Sequence, residues 1–464
     1  MNAAATRVTL ALILLGALAA CGEPVTVSVG QLGDAIDLTR CMGENLVCDL
    51  EQASKAPVAI QLDVEPIPDC KPAEEPAWHV AWTLPVDRLP CEDAECESVQ
   101  FEFAADGSVW LAATTVGTGR ARLLLGHYTA NGTLVAKAVE TWPVRQGPDR
   151  PIDLSLASNS QGQALVALSW QRDSAARTGW IAKYDRAALQ VGSRVSLEGI
   201  ESDDTLHLAI APSDQVLLLA GNDSAVREGH LARLDASLRL QWLQSSALPA
   251  ALDVLVDEHG EALVVTNLGR AATLLQFGFH WYDSHGNLGS SLTLPIDNEY
   301  VQAGRDDSVL TTQIKVRPGG PSPLALVFRE VARDGRILWA AQIAAGPGFP
   351  WFSDGVSIEI SGQQLDPEGA IYRFVRQTSH ADATIKRSAL FRIDPATSVC
   401  SFALVDARQP ESSTARRAGF DAGVGDAPDD QLIVTSFFIN ARGDFYVDAH
   451  SAQGGRRMLA KLER

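Results

Sequence analysis

The stretch from Val99 to Leu111, VQFEFAADGSVWL, places an apolar run on either side of Asp106-Gly107. Two runs of strand-forming residues around an Asp-Gly turn are a β-hairpin signature. The same signal recurs from Ile152 to Trp170 around Gln161-Gly162, then around Ser213-Asp214, His259-Gly260, Asp306-Asp307, Glu368-Gly369 and Arg442-Gly443, making seven copies. A second hairpin follows each of the first six, around Asn131-Gly132, Asp185, Asp235, His285-Gly286, Asp334-Gly335 and Asp394-Pro395. Four short strands per unit make a propeller blade.

Residues 77–464 number 388, or about 55 per blade, longer than the named propeller repeats and consistent with loop insertions. The last copy, Leu432 to Leu462, offers three strands. Trp78 to Val86, WHVAWTLPV, resembles the blade-ending stretches at Leu240 to Leu243 and Leu338-Trp339 and is the candidate for the missing outer strand. Sharing a blade between distant parts of the chain closes the ring and removes free sheet edges. The expected fold is an all-β, seven-bladed β-propeller over residues 77–464, with a small cystine-containing cap before it.

Upstream, an apolar run from Val8 to Leu18 follows Arg7 and ends at Leu18-Ala19-Ala20-Cys21. A charged start, a short apolar core and small residues before the cut are the parts of a secretion signal, and the run is too short to span a bilayer. Residues 1–20 therefore read as a bacterial lipoprotein signal, with Cys21 as the lipidated N-terminus. Residues 21–76 form a tether and a cystine-bound segment, in which Glu65 to Pro76 carries four prolines and reads as an extended linker.

Six further cysteines, Cys41, Cys48, Cys70, Cys91, Cys96 and Cys400, form an even set, and an exported chain is expected to oxidise them. Cys41 is close to Cys48 and Cys91 to Cys96, which leaves Cys70 for Cys400. The spacing lacks the paired cysteines and nearby histidines of a zinc site.

A formal charge of −19 disfavours nucleic acid and anionic lipid surfaces as partners. The sequence holds no nucleophile elbow, no His-Glu-x-x-His, no phosphate-binding loop and no EF-hand. No catalytic residue, metal ligand or cofactor is assigned. Histidines 259 and 285 sit in turns beside glycine, where a solvated role is the plainer one. The pairs Asp203-Asp204, Asp306-Asp307 and Asp429-Asp430 fall near turns or blade junctions, where acids are either solvated or bridged by calcium.

In a four-stranded blade the A–B and C–D turns share one face, and the B–C and D–A connections share the other. The long stretches, among them Gln171 to Arg177, Lys315 to Pro323, Ala344 to Asp354 and Asp406 to Asp430, all belong to the second face. Insertions gathered on one face mark the binding surface of a repeat protein. Within it Phe349, Trp351 and Phe352 sit in a Pro/Gly-restrained loop, and rigid aromatics suit a peptide or glycan. The expected function is partner binding by a monomeric, envelope-located propeller without catalysis; the alternative is a propeller enzyme with its site over the central channel.

The repeats Asp106 to Leu111, Asp334 to Trp339 and Arg442 to Val447 (DGSVWL, DGRILW and RGDFYV) resemble those of bacterial secreted propellers of the NHL, SBBP and quinoprotein-like groups. The Leu-Trp ending is most similar to the quinoprotein type, whose recurrent tryptophan matches Trp142, Trp242 and Trp339 but is missing from the blades whose second turns hold Asp185 and His285. The build resembles lipoproteins of myxobacteria and an outer-membrane assembly lipoprotein. That resemblance, with Gly22 in place of the aspartate that retains lipoproteins at the inner membrane, implies lipid anchoring at the cell outer membrane.

Overall fold

The computed structural model describes residues 58–59, 71–74, 76–85, 98–117, 120–143, 153–173, 176–197, 205–221, 229–244, 251–257, 259–271, 274–296, 300–304, 307–316, 324–344, 356–379, 386–395, 399–406, 432–440, 442–451 and 457–464. Regular structure among them is entirely β-strand. Seven blades of four antiparallel strands follow one another, with strands A to D running from the inside out.

Blade 1 is Ser98–Phe103, Val109–Gly117, Arg120–Tyr128 and Leu134–Pro143; blade 2 is Asp153–Ser158, Ala164–Asp173, Ala176–Tyr184 and Gln190–Leu197. Blade 3 is Thr205–Ile210, Val216–Gly221, His230–Leu234 and Leu240–Gln244; blade 4 is Ala251–Val256, Ala262–Ala271, Leu274–Tyr282 and Leu288–Ile296. Blade 5 is Tyr300–Ala303, Val309–Val316, Leu324–Val331 and Ile337–Ala344; blade 6 is Val356–Leu365, Ile371–Ser379, Lys386–Asp394 and Val399–Asp406. Blade 7 takes Leu432–Ile439, Phe445–Ser451 and Arg457–Glu463 from the end of the repeat and its D strand, Trp78–Pro85, from the start.

Apolar packing closes the ring. Seven clusters lie between successive blades, for example Trp110 and Leu123 of blade 1 against Leu154 and Tyr184 of blade 2. The last cluster joins Tyr446 and Leu459 of blade 7 to Val99 and Phe101 of blade 1. Strand period explains how one run serves two interfaces: in Val216–Gly221, Leu217 and Leu219 pack toward blade 4 while Val216, Leu218 and Ala220 pack toward blade 2. A strand buried on both faces needs a continuous apolar run, which Val-Leu-Leu-Leu-Ala supplies.

One turn is used almost throughout. Twelve of the thirteen A–B and C–D connections span five residues, and in all twelve the first residue's N–H donates to the fifth's carbonyl. The fourth residue has positive φ in every case: glycine in eight, and Ala188, Asp214, Leu238 and Asp307 in the rest. This is the three-residue hairpin loop closed by a left-handed residue. In seven of the turns an Asx side chain at the first position accepts the N–H groups of the third and fifth residues, as Asp257 does from His259 and Glu261.

Two stretches differ from the sequence expectation. Gln171 to Arg177 is a strand hairpin and not a long loop: Gln171 pairs with Arg177 and Asp173 with Ala176, because backbone pairing continues where the side chains have become polar. Lys71–Glu74, inside the Pro-rich linker, is a fifth strand parallel to the D strand of blade 6. Val58–Ala59 does the same on blade 4. No helix among the described residues is long and apolar enough to cross a membrane.

Candidate functional site

The tight-turn face is laced from blade to blade. Trp110 Nε1 donates to the Gly162 carbonyl at 3.0 Å, Arg233 Nη1 to that of Gly260 at 2.9 Å, and Trp242 Nε1 to that of Ser284 at 2.9 Å. Arg186 of blade 2 pairs with Asp106 of blade 1 at 2.9 Å. Side chains on this face hold neighbouring turns in place.

One junction on that face concentrates charge. Asp257 opens and Glu261 closes the A–B turn of blade 4, while Asp307 occupies the left-handed position of the A–B turn of blade 5 at φ 61°. Ligand atoms from these three carboxylates lie within 4.8 Å of one another. Arg333 Nη1 donates to Glu261 Oε2 at 2.7 Å and to Asp307 Oδ2 at 3.3 Å, and its guanidinium lies 5.5 Å from the Trp281 ring centroid.

Asp257 spends Oδ1 on its own turn, and its Oδ2 and Asp307 Oδ1 are buried without a hydrogen-bond partner. Burial, then the facing Asp307 carboxylate, pushes the Asp257 carboxyl above the usual carboxylate range. Among the described residues, Asp257, Glu261 and Asp307 are the group whose atoms could hold a cation. Arg333 already supplies one positive charge to them.

A second polar group lies at the inner ring, where A strands of successive blades meet. His207 Nδ1 is 3.4 Å from Asp253 Oδ1, and its Nε2 is 3.2 Å from Thr205 Oγ1. Thr205 begins the A strand of blade 3, so this group sits at the channel end where the long D–A connections enter. Ser155 Oγ accepts the N–H of Leu208 at 3.0 Å and Asp153 accepts that of Leu206, so side chains of blade 2 satisfy the inner edge of blade 3. Farther along, burial raises Glu102 to about 7, against the lowering effect of its bond from the Ser158 hydroxyl.

Phe349, Trp351, Phe352 and the cysteines 21, 41, 48, 70, 91 and 96 lie outside the described residues, as do Asp203, Asp204, Asp306, Asp429 and Asp430. Cys400 is fully buried and disulfide-bonded in the D strand of blade 6, with Pro72 as its register partner. His259 and His285 are exposed turn residues whose N–H groups donate to Asp257 and Asp283. Of the acids singled out in the sequence, Asp307 joins the cluster. Asp257, Glu261, Arg333 and the Thr205–His207–Asp253 group carried no sequence motif; the first position of each D-x-x-G turn was the available signal for Asp257.

No protein-family model matches the chain, and no curated protein matches it. Among solved structures it is similar to a protein of unknown function from Dyadobacter fermentans, at 12% identity and TM-score 0.37 over 69% of this chain and all of that one. It is also similar to the N-terminal domain of Nup159, at 9% identity and TM-score 0.38 over 86% of this chain and 100% of that one. Similarity to the Dos1 propeller is 10% identity and TM-score 0.29, over 78% of this chain and 68% of that one. At such scores and identities none of them lends this chain a function. The class, a seven-bladed β-propeller, rests on the sheets and clusters of the chain itself.

Proposed function

We propose that the protein is a lipid-anchored propeller of the bacterial outer membrane that binds an envelope protein or glycan through the face bearing its long connections. One observation carries this reading. Twelve of thirteen turns on one face are of a single five-residue type, whereas residues 198–204, 317–323, 345–355 and 407–431 join strand ends on the other. A rigid frame with its length variation confined to one face is how repeat proteins build binding surfaces. Phe349, Trp351 and Phe352 are its anchors, and lipidation at Cys21 supplies the tether. The Lys71–Glu74 strand lies beside Val399–Phe402, which supports a Cys70–Cys400 bond fastening the N-terminal segment to blade 6.

The test is site-specific photocrosslinking in cells. A crosslinker at position 351 is expected to give one discrete adduct and one at position 237, on the tight-turn face, none; adducts only from position 237, or from neither, sink the reading. Cys21→Ala is expected to release the protein from membranes, and continued membrane association of that variant would exclude the lipid anchor.

A second reading, an enzyme with its site over the channel, is favoured by the Thr205–His207–Asp253 group. An imidazole with a carboxylate on Nδ1 is the arrangement of a general base; the Thr205 hydroxyl beside Nε2 donates to the Gly221 carbonyl at 3.0 Å, so the proton taken would be that of a substrate or water. Turnover of p-nitrophenyl acetate that disappears in His207→Ala would support it, and equal rates in both proteins would reject it.

A further inference from the structure

The C–D turn of blade 1, Thr129 to Thr133, holds the sole Asn-Gly pair of the chain, Asn131-Gly132. An asparagine amide is attacked most readily by the backbone nitrogen of a following glycine, which has no side chain to shield it. Asn131 is exposed to water. Three contacts hold the reaction back. Gly132 donates its N–H to the Thr129 carbonyl at 2.9 Å, which engages the proton that has to leave. The Thr129 hydroxyl donates to Asn131 Oδ1 and pins the amide over the start of the turn. The Trp82 ring lies on Gly132, where a Cβ would be 3.1 Å from Cε3, and it keeps the peptide between Asn131 and Gly132 from turning toward the amide.

Trp82 is the contact that can be withdrawn. It belongs to the closing strand Trp78–Pro85, which comes from the start of the repeat and pairs with Arg457–Glu463 through a register shift between Val80 and Trp82. Trp242 covers Gly286 of blade 4 in the same way and is fastened there, its Nε1 donating to the Ser284 carbonyl at 2.9 Å. The Nε1 of Trp82 is buried without a hydrogen-bond partner, which lowers the free energy of lifting this ring.

We infer that Asn131-Gly132 is a modification site gated by Trp82, closed to deamidation while the ring is seated and open to it when the closing strand lifts. The Gly132 nitrogen then bonds to Asn131 Cγ, the bond from Cγ to Nδ2 breaks, and the proton of the attacking nitrogen leaves with ammonia. Water opens the resulting succinimide at one carbonyl or the other, to an aspartyl or an isoaspartyl linkage, and the reaction consumes only that water. The isoaspartyl form carries the backbone through the side-chain carbons, one methylene longer, and adds a negative charge. The turn, closed by the Thr129 N–H on the Thr133 carbonyl at 2.9 Å, has no room for that methylene beneath Trp82. An opening long enough for the reaction thus leaves a covalent mark that hinders reseating.

Peptide mass spectrometry of the purified protein held at mildly alkaline pH tests it. Deamidation at Asn131 is expected to run at least tenfold faster in Trp82→Ala than in the native protein, and to approach the rate of a synthetic peptide of residues 126–137. Trp242→Ala strips the equivalent ring from blade 4 and controls for general loosening, so Asn131 is expected to react in it at the native rate. Equal rates in the native protein and Trp82→Ala, a native rate as fast as the peptide's, or equal acceleration by Trp242→Ala overturns the inference. In the isoaspartyl protein the amides of residues 80–84 are expected to exchange with solvent faster than in Asn131→Asp, which carries the charge without the methylene. Equal exchange in these two overturns the claim that the mark hinders reseating. None of these readouts depends on lipidation or on a binding partner.

Discussion

Asp214 accepts two hydrogen bonds from Ser160 of the neighbouring blade, one from the backbone N–H at 2.8 Å and one from the hydroxyl at 2.7 Å. It does so from the left-handed position of its turn, at φ 60°. The carboxylate is there in place of glycine because it ties blade 3 to blade 2. Asp214→Ala loses both bonds and keeps an unfavourable backbone, an expected loss of about 1–2 kcal/mol. Asp214→Gly loses the bonds but relaxes the backbone, so its urea midpoint should lie clearly above that of the alanine variant. Equal midpoints would refute this division.

Gly192 and Gly286 separate backbone cost from contact cost. Both have positive φ, but a Cβ on Gly192 would meet nothing within 4 Å, whereas on Gly286 it would lie 2.8 Å from the Trp242 ring. Gly192→Ala is expected to cost about 1 kcal/mol, and Gly286→Ala about 1–3 kcal/mol more because Trp242 must leave its seat. Thermal unfolding of both variants checks the difference.

Glu102 makes stability depend on pH. Burial lifts its carboxyl from an ordinary 4.5 to about 7, so the folded state holds the proton more tightly than the unfolded one. Its contribution is full at low pH and is lost as pH rises from 4.5 through about 7. Glu102→Gln should match the native protein near pH 4.5 and exceed it above pH 7 by about 1–2 kcal/mol. A difference that is flat across this range would exclude the assignment.

Arg333 offsets the carboxylates of Glu261 and Asp307. Arg333→Ala is expected to destabilise by about 1–3 kcal/mol, since it leaves acceptors and charge uncompensated. Asp257→Asn keeps the turn cap, as Asn159 and Asn440 do in theirs, and removes one charge from the group. The double variant should therefore lose less than the two single effects combined. Strict additivity in chemical denaturation would show that the junction is not electrostatically coupled.

The blades were legible because each inter-blade core requires apolar runs flanking a turn with a fixed left-handed position. Asp106-Gly107 and Glu368-Gly369 advertise that position with glycine. Ala188 and Leu238 do not, yet they adopt it, and both bury their side chains among the apolar residues of adjoining strands. Two of the seven Asx residues that open turns, Asp185 and Asp235, mark their turns in the sequence, whereas Asn159, Asp257, Asp283, Asp366 and Asn440 stand three residues before the glycine that draws the eye. Val58–Ala59 and Lys71–Glu74 were illegible for another reason: a short strand on an outer edge needs only backbone pairing, so its side chains carry no period. The acid cluster was half visible, through Asp307. Its other members, Asp257 and Glu261, come from the preceding blade, and only ring geometry brings them together.

Blade 7 couples the first strand of the ring to the last, with His79 opposite Glu463. This pairing has the longest loop in the propeller, so its closure entropy is the largest. The six complete blades can each form from local hairpins, but the annulus stays a gapped horseshoe until Trp78–Pro85 docks. The clasp is therefore the expected slow step of folding. Until it engages, the edges of blade 7 and the flank of blade 1 are exposed together, which makes that seam the place where a partly folded molecule would capture a neighbour.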